Sequence, residues 1–229
     1  MTESTPYSQP TTPTFRLKVC GLTQHEQVME LDNLGVIFAG FIFYAPSPRY
    51  YKRYLDTAVL KKIRGKHINK VGVFVNASVE EVLKAVDEAG LSMVQLHGDE
   101  SPKTCERIAE YVSVIKAFRL RDDDQVMWKV KDYQAVADMF LFDTATAEYG
   151  GSGKKFNWKV LSGLNIGKPF FLSGGIGPED APMIHQFAAD PVAADLFALD
   201  INSRFETAPG VKDSKQVATF IQQLANPNV

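Results

Sequence analysis

From Phe15 onward, short runs rich in β-branched and aromatic residues alternate with longer stretches in which apolar positions recur every three or four residues. The runs FRLKVC, AGFIFY, KVGVFV, MVQL, VIKAF, FLFD, PFFL and LFALD predict eight strands, ending near Cys20, Tyr44, Asn76, His97, Phe118, Asp143, Ser173 and Asp200. Helical start signals fall between them. Thr23 with Glu26 and Ser78 with Glu81 have capping-box spacing, and Ser101-Pro102 and Gly177-Pro178 place proline where a first helical turn accepts it. Val28, Leu31 and Leu34 line one helical face before a stop at Gly35, as do Val82, Leu83 and Val86 before Gly90. Val217, Phe220, Ile221 and Leu224 predict a last helix of the same kind.

No linker rich in Pro, Gly or Ser divides this alternation, which predicts one domain over residues 15–229 behind a loose polar tail of residues 1–14. Eight β units alternating with helices predict an α/β chain, a parallel eight-stranded (β/α)8 TIM barrel. An open doubly wound sheet is the competing architecture. Polar or reactive residues recur at the strand ends, as Cys20, Arg49, Asn76, His97, Asp143, Ser173 and Asp200. In a barrel those ends converge on one face, so the barrel is preferred.

Composition narrows the function. Content that is 45% hydrophobic and 23% charged excludes a disordered, collagen-like or coiled-coil chain. A net charge of -2 leaves no basic surplus, so neither nucleic acid nor a membrane surface is an expected partner. No apolar run approaches the roughly 20 residues of a membrane helix, and the N-terminus lacks the blocks of a signal peptide. The two cysteines fit a reducing compartment, so a cytoplasmic protein is expected. The four histidines, His25, His67, His97 and His185, have no ligand pairing, and no metal is expected.

The candidate chemistry sits at the strand ends. Cys20 ends an alternating run where its thiol can face a pocket, whereas Cys105 falls in a predicted helix and reads as packing. Asp143 ends an apolar run that carries its carboxylate out of the core, ahead of the loop Gly150-Gly151-Ser152-Gly153-Lys154, which suits closure over a ligand. That loop is no nucleotide P-loop, because Glu148 and Lys155 occupy positions that need Gly and Ser or Thr. In Ser173-Gly174-Gly175-Ile176-Gly177-Pro178 a strand turns through three glycines, letting backbone N–H groups approach an anion. Asn202-Ser203-Arg204 adds donors after the eighth strand, where barrels place phosphate sites. Arg49, on the stiff Pro46-Ser47-Pro48 loop, matches a planar carboxylate, and Lys18 should point into the barrel toward Asp200. Lys116, within the fifth strand, offers a different chemistry through a Schiff base.

Taken in order, Lys18-Val19-Cys20-Gly21, Gly40-Phe41-Ile42-Phe43, Ser47-Pro48-Arg49-Tyr50, Val71-Gly72-Val73-Phe74-Val75-Asn76, Val94-Gln95-Leu96-His97-Gly98, Phe142-Asp143-Thr144, Gly151-Ser152-Gly153-Lys154, Leu172-Ser173-Gly174-Gly175-Ile176 and Asp200-Ile201-Asn202-Ser203 resemble the phosphoribosylanthranilate isomerase family. The resemblance implies a cofactor-free Amadori rearrangement of N-(5-phosphoribosyl)anthranilate in tryptophan biosynthesis; a compact barrel is compatible with a monomer or a homodimer. It implies Asp143 as general acid and Cys20 as general base. It also implies Arg49 as the partner of the anthranilate carboxylate and Gly174 and Gly175 with the strand-eight loop as the phosphate site. Gln95, His97, Asp200, Asn202 and Ser203 complete the substrate-binding set that it implies. Arg204 departs from the family, whose members commonly have glycine there; it adds a phosphate contact or changes the loop. That departure keeps open a catalytically silent phosphosugar-binding barrel beside the Schiff-base reading.

Overall fold

The computed structural model describes residues 15–145 and 157–226. Eight parallel strands close on themselves: β1 (Leu17–Val19), β2 (Phe38–Ile42), β3 (Asn69–Phe74), β4 (Met93–Leu96), β5 (Ser113–Leu120), β6 (Met139–Thr144), β7 (Phe170–Leu172) and β8 (Leu196–Ile201). Closure is made where β8 returns beside β1, with Lys18 opposite Asp200. Every expected strand is present, and the barrel prevails over the open sheet because each of these eight strands is paired on both sides.

Strand alternation sorts the side chains into two cores. Inward, Phe38, Val71, Met93, Ile115, Leu141, Phe171 and Ala198 fill the barrel. Outward residues such as Phe41, Val94, Phe140 and Leu199 pack beneath the helices. Above the inner plug, toward the strand C-termini, lie Cys20, Ile42 and Val73. The filled plug makes the barrel a packed body with chemistry at one mouth.

The helices are α1 (His25–Asn33), α2 (Thr57–Lys62), α3 (Val79–Ala89), α4 (Pro102–Ala109), α5 (Val126–Val130), α6 (Ala181–Phe187) and α7 (Ser214–Ala225). Ser78 and Glu81 form the expected capping box, Gly90 ends α3 with φ 62°, and Ser101 caps α4 with Pro102 in its first turn. The Thr23–Glu26 expectation is corrected. Helix α1 starts from Gln24 without a side-chain cap, and Thr23 Oγ1 instead donates to the Gly210 carbonyl at 2.7 Å. A buried tertiary acceptor has outcompeted the local one. Gly210 lies in the turn between two short antiparallel strands, β9 (Glu206–Ala208) and β10 (Val211–Lys212), placed between β8 and α7. The expected tail of residues 1–14 and the loop Gly150–Lys154 lie outside the described residues.

Candidate active site

Residues from seven strand ends or the loops after them meet in one pocket at the C-terminal mouth. Cys20, Gln95, His97 and Asp143 line one part of it. Gly175, Asp200, Asn202, Ser203 and Arg204 line the β7–β8 part, and Ile42, Tyr44 and Val73 supply an apolar wall. Tyr44 and Ser47 line this pocket without having been singled out from the sequence.

Beside Cys20 lies the expected buried pair. Lys18 Nζ donates to Asp200 Oδ1 at 2.9 Å, with the lysine fully buried and the aspartate 6% exposed. Burial works to lower the Lys18 pKa, but Asp200 and the Cys20 thiol outweigh it, so the ammonium is held above its ordinary range. For Cys20 burial dominates and pushes the thiol up, against the pull of Lys18 and Lys212. Burial likewise pushes Asp200 up, opposed by Lys18. Gly40 makes room for the thiol: a Cβ there would sit 2.9 Å from Cys20 Sγ and 3.0 Å from its Cα. Lys18→Met leaves the Asp200 carboxylate buried and unpaired, so it is expected to cost about 3–5 kcal/mol of stability, read from the urea midpoint.

Across the pocket, His97 joins Gln95 to Asp143. Gln95 Nε2 lies 2.8 Å from His97 Nδ1, and His97 Nε2 lies 3.2 Å from Asp143 Oδ2. An amide nitrogen only donates, so with the Gln95 amide in this orientation Nδ1 accepts and the ring proton sits on Nε2, facing Asp143. Asp143 Oδ1 also accepts the Thr144 N–H at 2.8 Å. Gln95 is 1% exposed, and its Oε1 has no hydrogen-bond partner among the described residues.

Gly174 and Gly175 have φ 94° and 71°, the left-handed region that only glycine enters without strain. The N–H groups of Gly174, Gly175 and Ser203 donate to no protein acceptor among the described residues, and Gly175 and Ser203 line the pocket. Backbone donors without a partner among the described residues, grouped at one corner, are an arrangement that can receive an anion. Arg204 lines the same corner and donates through Nη2 to Glu179 Oε1 at 2.6 Å.

Three expected site residues lie elsewhere. Arg49 is buried and grips a carboxylate of its own chain, Glu206, through Nε at 2.9 and 3.0 Å and Nη2 at 2.6 Å. Its Nη1 has no partner among the described residues. Asn76, with φ 54°, turns away to accept the Asp99 N–H at 2.7 Å. Lys116 points out of the barrel, where Nζ donates to Glu100 Oε2 at 3.0 Å and to the Gly98 carbonyl at 2.8 Å. Strand alternation puts it on the face opposite Ile115 and Ala117, so the Schiff-base reading is set aside. Cys105 is buried in α4, and burial pushes its thiol up to about 11, which leaves a packing role.

Glu206 and Lys212 were missed from the sequence. Lys212 is buried, and its Nζ donates to Glu206 Oε1 at 2.6 Å and Asn202 Oδ1 at 2.7 Å. Their signal was the resemblance of Ser203-Arg204-Phe205-Glu206 and Pro209-Gly210-Val211-Lys212-Asp213 to the family, in a segment without helical or strand period that gave neither residue a role.

A family model described as N-(5'phosphoribosyl)anthranilate (PRA) isomerase matches residues 17–223. The chain is 39% identical over 214 residues to the N-(5'-phosphoribosyl)anthranilate isomerase of Parabacteroides distasonis, covering 93% of this chain and 95% of that one. It resembles the crystal structure of phosphoribosyl anthranilate isomerase from Thermotoga maritima at 33% identity and TM-score 0.79, covering 92% and 98% of the two chains. A further phosphoribosyl anthranilate isomerase structure, in complex with reduced 1-(o-carboxyphenylamino)-1-deoxyribulose 5-phosphate, is similar at 28% identity and TM-score 0.74, again covering 92% and 98%.

Proposed function

From the chain's membership of the N-(5'-phosphoribosyl)anthranilate isomerase family, and so from an aldose–ketose isomerisation in tryptophan biosynthesis, we propose that Asp143 is its general acid and Cys20 its general base. The observation that carries this reading is the single pocket joining a thiol, a carboxyl and an anion cradle. Asp143 hands its proton to the ribose ring oxygen. The C1–O bond breaks as the aniline nitrogen lone pair forms the Schiff base. The Cys20 thiolate then takes the C2 proton, the C2–H electrons form the C1–C2 double bond as the C1–N π pair returns to nitrogen, and the resulting enolamine tautomerises to the ketone. The two roles set opposite demands: Asp143 must hold a proton and Cys20 must lose one.

The remaining groups orient the sugar between these two. The free N–H groups of Gly174, Gly175 and Ser203 take the 5'-phosphate, with Asn202 beside them. Gln95 Oε1, a buried acceptor, takes a ribose hydroxyl, and His97 holds Asp143 in place. Asp200 holds Lys18 against the thiol, and the open Nη1 of Arg49 takes the anthranilate carboxylate. The enzyme works in the cytoplasm as a monomer or homodimer on a small phosphosugar. Turnover of freshly generated phosphoribosylanthranilate, followed by the loss of its anthranilate fluorescence, tests the reading. Near-normal turnover in either Cys20→Ala or Asp143→Asn would overturn the assigned pair.

Arg204 adds a cation to the phosphate corner in place of the family's usual glycine. Arg204→Ala is expected to raise KM about three- to tenfold with kcat nearly unchanged, because a part-exposed charge-assisted contact is worth about 1 kcal/mol. An unchanged KM would mean that the guanidinium serves Glu179 alone.

A further inference from the structure

Arg49 lies on the loop after β2, two residues beyond the pocket-lining Ser47, and nothing on that loop holds its guanidinium. Its one side-chain partner is Glu206, which comes from β9, 157 residues later in the chain. The Glu206 carboxylate takes Nε and Nη2 together, the two-point geometry that fixes a guanidinium plane as well as its position. Nη1 is the guanidinium nitrogen left without a partner among the described residues. The same carboxylate accepts the Lys212 ammonium at 2.6 Å and the Gly210 N–H at 3.0 Å. Lys212 in turn holds Asn202 Oδ1, on the loop that carries Ser203. All of this is dry, with the Glu206 side chain 4% and the Lys212 side chain 0% exposed. Gly21 leaves room for the unit: a Cβ there would meet Arg49 Cδ at 2.7 Å and Asn202 Oδ1 at 2.8 Å.

Burial works to raise the Glu206 carboxyl, but Arg49 and Lys212 hold it below its ordinary range, so it stays charged beside its two cations. A buried anion between two cations is costly to build and costly to break. A purely structural ion pair would not need to leave the buried Nη1 without a partner among the described residues.

We propose that Glu206 is a positioning residue: it presents Arg49 Nη1 to the substrate's aromatic carboxylate and, through Lys212 and Asn202, keeps that contact in register with the phosphate loop. The inference rests on the reading of Arg49 as the carboxylate partner. Its consequence is selective. Losing Glu206 penalises ligands that carry the carboxylate and spares those that lack it.

The test compares two stable ligands, reduced 1-(o-carboxyphenylamino)-1-deoxyribulose 5-phosphate and the same molecule without its carboxyl group, by calorimetric Kd on the full chain. Wild type is expected to prefer the carboxylated ligand by at least about tenfold, the range of one charge-assisted hydrogen bond. In Glu206→Gln that preference should fall to within about threefold while the Kd of the carboxyl-free ligand stays within about threefold of wild type. Arg49→Gln separates the two readings. If it keeps the preference, the Arg49 reading falls and the role of Glu206 with it. If it loses the preference while Glu206→Gln keeps it, or weakens both ligands alike, Arg49 stands and the positioning role is overturned. Should Glu206→Gln fail to fold, Glu206→Asp keeps the charge but withdraws it by one methylene. It should lose part of the preference, and a wild-type preference there would equally overturn the proposal.

Discussion

Replacement of Cys20 by alanine is expected to lower kcat on the order of a thousandfold, within the 10²–10⁴ contribution of a positioned general base, and to leave KM within about threefold. The split follows from the site. The thiol removes one proton in the transition state, whereas the charged ends of the substrate are held by other groups. Steady-state loss of substrate fluorescence measures it, with Cys20→Ser as the isosteric control. An alcohol is a far weaker acid than a thiol, so serine should rescue little.

The pH profile gives the sign. Burial pushes the Cys20 thiol up, so in the free enzyme the reactive thiolate is the minor form near neutrality. Asp143→Asn removes the acid's own titration, so its residual kcat/KM follows the thiolate alone and should climb about tenfold per pH unit until the thiol's own pKa is reached. Lys18 does not cancel the trend, because its ammonium is held above its ordinary range and keeps its charge throughout. A flat profile in that variant across neutral pH, measured without change of Tm, would remove Cys20 as the base.

Asp143→Asn is expected to lower kcat about 10²–10⁴-fold, because an amide cannot deliver a proton to the ring oxygen. Both carboxylate oxygens are in use as acceptors, one from the Thr144 N–H at 2.8 Å and one facing His97 Nε2 at 3.2 Å. The variant's NH₂ must replace one of these, so some stability falls with the activity. Binding should persist: the Kd of the reduced product analogue is expected within about fivefold of wild type, since proton delivery to the ring oxygen stabilises only the transition state. The two residues act on one reaction coordinate, so the double variant Cys20→Ala/Asp143→Asn should lose much less than the product of the single losses. Multiplicative losses would mean that the two side chains serve independent steps.

The strands, the inward direction of Lys18 and Cys20, and the meeting of Lys18 with Asp200 were legible in the sequence, because alternation along a strand decides which face a side chain occupies. The same rule, applied to Lys116 within VIKAF, places it outward against Glu100, although its chemistry alone suggested a nucleophile. Capping was legible where the partner is local, as for Ser78 and Glu81, and failed at Thr23, whose partner Gly210 is 187 residues away. Arg49 was readable as a carboxylate binder. That its first carboxylate is Glu206, and that Lys212 and Asn202 complete the unit, was not, since those residues come from a segment with no period.

By itself, then, the sequence determined the eight strands, the barrel and the residue types at its mouth, because these follow from short-range periodicity and from the gathering of strand ends in a closed sheet. Only the tertiary structure decided that Arg49 pairs with Glu206, that Glu206 also holds Lys212, and which nitrogen of His97 faces Asp143. Those outcomes depend on burial and on the meeting of segments far apart in the chain, such as Arg49 with Glu206, 157 residues later. In a dry interior a charge takes the partner that geometry brings within reach, wherever it lies along the chain.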